Sequence, residues 1–471
     1  MNKYIISLFA VSLLVASCKD DDNDESGRAS HSATYEANSF VFNTMGAYYY
    51  WNKEMFEDDE YEKPKIDWRT QEDTKAYFEA LLSDKDRFSI ISNNAKETQD
   101  DLAGISTSIG WDYLLTYLDY DARLVCAVVN LIYPNTPAER AGIQRGDVIY
   151  MVNGVAINEN NYSQMMNTKN GTFTISRYNA SKGEYYDFDV PITAEEITED
   201  PVYHYSIMDG NIGYLMYTSF ISNYNDELDE VFGYFKQNNV QKLILDLRYN
   251  PGGEMSAFQH LCSLIAPQNV VQNSSELLYY AYNELLTSVE GFSREESREV
   301  FDNKVTNNLN LKDIVIITGR NTYSASEATI MALKPYMNVT LIGDVTGGKN
   351  YTMFVLTPDL FEDVDSRGKH IPLYSEEINN WLIMPIVSEY FNTADETFDP
   401  NIGIIPDYKI NEYDYEDMGT IGNENELLMA AAIEFIRTGA VSIKKVAKIN
   451  ERGKENLGHY GLGIDGAIMN R

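Results

Sequence analysis

Three short polar turns, each following an apolar run, hold the residues whose types could do chemistry. In the first, Leu243-Ile244-Leu245-Asp246-Leu247 runs into Arg248-Tyr249-Asn250-Pro251-Gly252-Gly253. Glycine lets the backbone approach closely, so such a turn can converge N–H groups on an anion; it can equally be a plain strand-to-helix turn. In the second, residues 314–318 lead through Gly319-Arg320-Asn321-Thr322-Tyr323 to Ser324-Ala325-Ser326-Glu327. A serine at a helix start is commonly an N-cap. The same hydroxyl attacks an amide only if a base takes its proton. In the third, Gly343-Asp344-Val345-Thr346-Gly347-Gly348-Lys349-Asn350 fits the phosphate-loop pattern until its last position. There Asn350 replaces the hydroxyl that would hold Mg²⁺.

The elements around these turns predict the frame. Strand runs at 213–217, 243–247, 314–317 and 339–342 alternate with helical patterns over 226–235 and 326–333. Such alternation predicts an α/β layered core, here residues 200–440. Upstream, from about residue 104, the period changes: 124–129 is an apolar strand run, a short helix ends at Gly142, Gly146-Asp147 turns the chain, and Asn153-Gly154 signals a hairpin. Residues 35–103 carry helical patterns over 41–51 and 74–82, the second with Tyr77, Phe78, Leu81 and Leu82 on one face. These aromatic faces read as core, with no chemistry assigned. The tail, 441–471, shows no clear period and is unassigned. The expected class is therefore α/β and multidomain, with a small helical N-terminal region, a β-rich domain and the layered core.

Taken together, DLR-x-NPGG, SAS-E, G-x-x-x-x-GK and the late Gly403-Ile404-Ile405-Pro406-Asp407 resemble the C-terminal processing peptidases, or tail-specific proteases, which use a Ser–Lys dyad. Lys349 stands 25 positions after Ser324. Residues 104–195 resemble a PDZ domain through Pro137-Ala138, Ala141-Gly142-Ile143, Gly146-Asp147-Val148-Ile149 and Val152-Asn153-Gly154; a PDZ domain before the core is that family's arrangement. The resemblance implies a serine endopeptidase with Ser324 as nucleophile, Lys349 as general base and Glu327 as assisting acid. It places the oxyanion hole at the backbone N–H groups of Gly252 and Ala325. Neither a metal nor an organic cofactor is expected. Two positions depart from the family: Met353 stands where some members have a Gln, and Gly347 replaces a common aromatic. A PDZ domain binds an extended C-terminal peptide by strand addition and captures its carboxylate on backbone N–H groups. The capturing loop is placed at Ser108-Ile109-Gly110-Trp111, with Ile109, Gly110 and Trp111 as peptide contacts. The expected partners are protein or peptide substrates with unstructured C-termini.

Residue chemistry agrees with a lysine base. None of the five His lies in a recognisable nucleophile–base context, and no G-x-S-x-G elbow occurs. A lysine can serve if its pKa falls from ~10.4 towards 7, a shift worth ~4 kcal/mol that burial can supply.

The chain has 471 residues, enough for several domains, and 44% hydrophobic content with 35 Tyr argues against disorder. Its 72 Asp+Glu outnumber 37 Lys+Arg, for a net charge of −35. That balance argues against binding nucleic acid through phosphates. Three Cys give no disulfide framework; Cys126 and Cys262 lie in apolar runs and read as core thiols. Residues 1–17 read as a signal peptide, ending in Leu14-Val15-Ala16-Ser17 before Cys18. This resembles the lipobox of bacterial lipoproteins, with Cys18 the lipidated residue and 18–34 an acidic tether. The expected place is the cell envelope, at the periplasmic or surface face of the outer membrane, with lipid the membrane contact. Two other readings are an inactive surface peptide-binding lipoprotein of the same fold and a nutrient-capture component.

Overall fold

A computed structural model describes residues 32–57, 63–208, 211–364, 368–415 and 417–442, and the backbone of 456–460. Cys18 and the signal-like segment lie outside the described residues. No helix among the described residues is long and apolar enough to cross a membrane.

The N-terminal region contains α1 (Ala33–Tyr48), α2 (Thr74–Leu81), the short strand β1 (Ile90–Ser92) and α3 (Ala95–Leu102). Ser32 caps α1, so the helix begins inside the segment expected to be tether, and the aromatics at 49–51 lie beyond its end. Phe40, Tyr48, Tyr77 and Phe78 are buried against Phe361, Tyr374 and Ile383 of the core, which makes this region part of one body with it.

The β-rich domain follows as β2 (Ile105–Ser108), β3 (Trp111–Asp119), β4 (Leu124–Ile132), α4 (Pro137–Arg140), β5 (Val148–Val152), β6 (Val155–Ala156), α5 (Tyr162–Met166), β7 (Asn170–Asn179), β8 (Glu184–Thr193) and β9 (Glu195–Thr198). Thr136 caps α4 with Pro137 in its first turn, and Gly142 takes φ +74° just past its end. Asn153 and Gly154 both have positive φ, as a tight β5–β6 hairpin requires. β2 and β9 pair with each other and form the neck between this domain and the rest.

The core is built from β10 (Val202–Met208), β11 (Ile212–Tyr217), α6 (Asn225–Gln237), β12 (Lys242–Asp246), α7 (Met255–Ile265), β13 (Glu276–Tyr282), β14 (Arg298–Val300), β15 (Asp313–Thr318), α8 (Ala325–Leu333), β16 (Asn338–Gly343), β17 (Tyr351–Met353), β18 (Leu382–Met384), β19 (Ile386–Asn392), β20 (Tyr408–Lys409) and α9 (Leu427–Thr438). The six-stranded sheet runs β10-β11-β12-β15-β16-β20, parallel except for β10. Its apolar strands are continuous because both faces are covered. Leu215, Leu245, Ile316 and Leu341 pack with α6, α7 and α8; Met216, Ile244, Ile317 and Ile342 pack with α9. A second sheet, β14-β13-β19-β17, stands beside it.

Beyond α9, β21 (Asn456–Tyr460) adds to the β-rich domain, giving β21-β3-β4-β5-β7-β8 with β6 on β5. The tail thus contains a strand where its sequence shows no period, because the pairing partner is distant in the chain.

Candidate active site

The three polar turns meet at one end of the six-stranded sheet. β12, β15 and β16 are parallel neighbours, and each turn leaves the carboxyl end of one of them. In open α/β sheets ligands bind outside those strand ends.

The first turn is fixed to the second. Asn250 donates to the Tyr217 carbonyl at 2.8 Å, and its own carbonyl accepts from Tyr323 N–H (3.1 Å) and the Ser326 hydroxyl (3.0 Å). Thr322 donates to the Leu247 carbonyl at 2.8 Å. Gly252 has φ +103°, and a Cβ there would stand 2.8 Å from Ser324 Cβ and 2.9 Å from Ala325 N. Only glycine lets this turn pass so close to the serine. The Gly252 N–H donates to Asn250 Oδ1 at 2.8 Å. The structure therefore brings Gly252 and Ala325 together but spends the Gly252 N–H within its own turn.

Ser324 sits at φ +52°, ψ −114°, immediately before α8. A non-glycine residue held there costs about 1–3 kcal/mol and persists only when its surroundings dictate it. Those surroundings centre on Glu327, which is fully buried. Its Oε2 accepts from Ser324 N–H (3.0 Å) and Lys349 N–H (2.8 Å). Its Oε1 accepts from Gly348 N–H (2.9 Å) and the Thr346 hydroxyl (2.5 Å). Burial pushes the Glu327 carboxyl up to about 7 against these hydrogen bonds, which pull it down. One carboxylate thus orients the backbone of both Ser324 and Lys349.

Lys349 Nζ lies 3.1 Å from Met353 Sδ and 5.1 Å from the centre of the Phe88 ring. Met353 stands where the sequence departs from the family Gln, and its thioether faces the amine. The other departure also has a physical reason: a Cβ on Gly347 would fall 1.9 Å from the Tyr323 ring, which already occupies that space. Gly348, at φ +86°, lies against the Pro400 carbonyl, where a Cβ would approach to 2.1 Å. The late segment closes the site from outside. Ile404 N–H donates to Thr346 Oγ1 at 2.6 Å, and Asp407 accepts from Leu341 N–H at 2.8 Å.

Several contributors were not legible from motifs. The Tyr390 hydroxyl, on β19, reaches the carbonyls of both Ser324 (3.2 Å) and Lys349 (3.1 Å). Phe88 and Arg87 come from the N-terminal region given no chemistry; Arg87 donates to the Pro400 carbonyl at 2.9 Å. Arg145, in the GIQRGD turn of the β-rich domain, is buried against Glu412 (2.5 Å) and Tyr249. Arg248 pairs with Asp246, Glu412 and Glu426, each at 2.8 Å, so the first turn and the β-rich domain share one buried ion cluster. Arg248 and Arg145 overcome burial and hold the Glu426 carboxyl at about 2.

The phosphate-loop alternative does not survive the geometry. The Asn350 amide is buried and donates to Glu389 (2.8 Å), Thr397 (3.0 Å) and the Phe398 carbonyl (3.1 Å), so it faces the core. Among the described residues, no group of three or more His, Cys, Asp or Glu is placed to hold a metal ion. Cys126 and Cys262 are buried free thiols.

In the β-rich domain, Gly110 takes φ +87° and a Cβ there would collide with Thr136 at 2.2 Å. Its N–H donates to Ser108 Oγ at 3.1 Å. The Ile109 side chain is buried. Trp111 opens β3, and its indole packs edge-on to Phe173 with ring centres 5.1 Å apart.

Residues 211–410 match peptidase family S41, residues 36–90 match the peptidase S41 N-terminal domain, and residues 128–173 match a PDZ domain. The core of this chain is similar to the S41 peptidases. It is 29% identical over 217 residues to the carboxy-terminal processing protease CtpA of Bacillus subtilis, covering 45% of this chain and 42% of that relative. It is 24% identical over 395 residues to a protein of Staphylococcus epidermidis described as a CtpA-like serine protease, covering 81% of this chain and 72% of that one. The chain thus spans well under half of the first relative and somewhat over two thirds of the second. A crystal structure from Bacteroides fragilis, provisionally described as an S41 protease, superposes with TM-score 0.64 at 24% identity, covering 84% of this chain and 97% of that one. The chain therefore shares its fold with that structure.

Proposed function

We propose that the protein is a C-terminal processing serine endopeptidase in which Ser324 attacks the scissile carbonyl and Lys349 takes the serine proton. The observation that carries this reading is the Glu327 carboxylate, which orients the backbone of both residues while Gly252 passes against the serine. The Lys349 amine lies against Met353 Sδ at 3.1 Å, and Ser324 is held at φ +52° at the start of α8. The Ala325 N–H, in the first position of α8, receives the oxyanion. The Gly252 N–H joins it when its turn gives up the bond to Asn250. Losing one such donor typically costs ~10²–10³ in rate. The PDZ domain docks unstructured substrate C-termini along β3. Lipidation at Cys18 holds the enzyme at the cell envelope; the LVASC sequence supports this reading.

The test is cleavage of an unfolded protein with a free apolar C-terminus by wild type, Ser324→Ala, Lys349→Ala and the double variant. Each single variant is expected to abolish turnover with the fold intact. Because the two act as a unit, the double is expected to be no worse than either single. Turnover that survives Ser324→Ala rejects the mechanism. Binding without cleavage by the wild type favours the inactive peptide-binding reading.

A further inference from the structure

β3 gives one edge to β4 and the other to β21. The second pairing is antiparallel, with Asn456 opposite Thr116, Gly458 opposite Leu115, His459 opposite Leu114 and Tyr460 opposite Tyr113. A free strand edge offers a row of unpaired N–H and C=O groups, and an extended peptide satisfies them by adding as a further strand. Two features make β21 more than an ordinary edge cover. It comes from the far end of the chain, separated from the last described residue of the core by 443–455. Its direction also matters: running from 456 to 460, the segment advances from Thr116 towards Tyr113, that is, towards Trp111 and the Ser108–Gly110 loop. A peptide docking with its C-terminal end at that loop would run the same way on the same edge.

We infer that Asn456–Tyr460 is an intramolecular ligand of the PDZ domain, seated on the edge of β3 that substrate termini must use. The inference rests on the reading of this domain as the substrate dock. Residues 461–471 follow the segment, so it brings no terminal carboxylate to the loop and holds by main-chain pairing. A substrate terminus has both the pairing and the carboxylate and can displace it. A segment joined to its site through the same chain is presented at an effective concentration taken here as on the order of 1 mM. If the segment alone binds at about 100 μM, the edge is free roughly a tenth of the time, and apparent substrate affinity falls about tenfold.

The experiment uses the full chain carrying Ser324→Ala, so that bound peptide is not cut. It is compared with the same chain carrying Gly458→Pro and His459→Pro. Proline donates no backbone hydrogen bond, and substituting adjacent positions reaches a bonded site whichever of the two is paired. Two readouts are taken. The first is anisotropy with a fluorescein-labelled ten-residue peptide ending in free Ala-Ala-Val; the proline form is expected to bind about tenfold tighter. The second is hydrogen exchange of the β3 amides, expected to be faster in the proline form and, in the parent, independent of protein concentration. Equal exchange of β3 in both forms overturns the inference, as does equal peptide affinity where the probe binds. Protection that grows with protein concentration overturns it in favour of a second copy. A probe that binds neither form, with β3 exchange faster in the proline form, counts against substrate docking and leaves tail pairing standing, so the two readings fail separately.

Discussion

Replacing Glu327 by Gln changes one atom in a buried cluster of four donors, and the structure fixes the consequence. The amide oxygen can take over only one carboxylate position. The Thr346 hydroxyl can rotate to accept from the new amide N–H₂, whereas backbone N–H groups cannot. The favoured flip therefore keeps the oxygen on Ser324 and Lys349 and turns the nitrogen towards Thr346 and Gly348. One backbone donor, Gly348 N–H, is left without an acceptor, at about 1–3 kcal/mol. Against this, Gln carries no charge into the interior. Burial raises the Glu327 carboxyl from 4.5 to about 7. A carboxyl whose folded pKa is raised gives its full stabilisation below the unfolded value and loses it as pH climbs through the folded one. Wild type should thus lose about 3 kcal/mol relative to Glu327→Gln between pH 4.5 and pH 7, at about 1.4 kcal/mol per unit. Chemical denaturation of both proteins at matched pH measures this difference, and its baseline includes the orphaned Gly348 donor. A difference that stays flat across the window refutes the assignment of the titrating group. Glu327→Leu sharpens the test by leaving all four donors unpaired, at about 1–3 kcal/mol each, comparable with the whole stability of a domain. A Leu variant as stable as the Gln variant refutes the claim that the carboxylate organises both turns.

Met353→Gln replaces a thioether facing Lys349 Nζ at 3.1 Å with an amide oxygen of similar reach. The stronger acceptor favours the ammonium form, so the rise of kcat/KM with pH is expected at higher pH than in wild type; an unchanged profile excludes Met353 from the environment of the base. Cys18→Ala is expected to move the protein from the membrane to the soluble fraction on cell fractionation, and continued tight membrane association rejects lipid anchoring.

The parts of the fold that were legible are those where local sequence and final structure agree. Apolar runs ending in Gly-rich polar turns mark β12, β15 and β16, because strands buried on both faces cannot continue into a solvated turn without a change in composition. The α4 region and the Asn153-Gly154 hairpin are equally local, set by Thr136, Pro137 and positive-φ residues. What escaped is what only packing decides. Tyr390 and Phe88 have no motif around them and reach the site from β19 and from the N-terminal region. Arg145 and Arg248 look like surface cations until Glu412 and Glu426 arrive from 164 and 178 positions beyond Arg248. β21 lacks any apolar alternation because its pairing is made through the main chain.

The spacing of Ser324 and Lys349 is itself a consequence of the sheet. Asp313 pairs with Asn338, and Thr318 with Gly343, so the parallel register of β15 and β16 carries a constant offset of 25 residues. Ser324 and Lys349 keep that same offset, each six residues past the last paired position of its strand. Two turns of equal length leaving adjacent parallel strands arrive side by side, and Glu327, in the first turn of α8, has only to bridge them. That geometry explains why the acid stands three residues after the serine: one turn of helix returns its carboxylate to the start of α8, where both Ser324 N–H and Lys349 N–H lie. The strand register, the crossover helix and one buried carboxylate bring the backbones of Ser324 and Lys349 together, and Tyr390 repeats the link from the other side by binding the carbonyl of each.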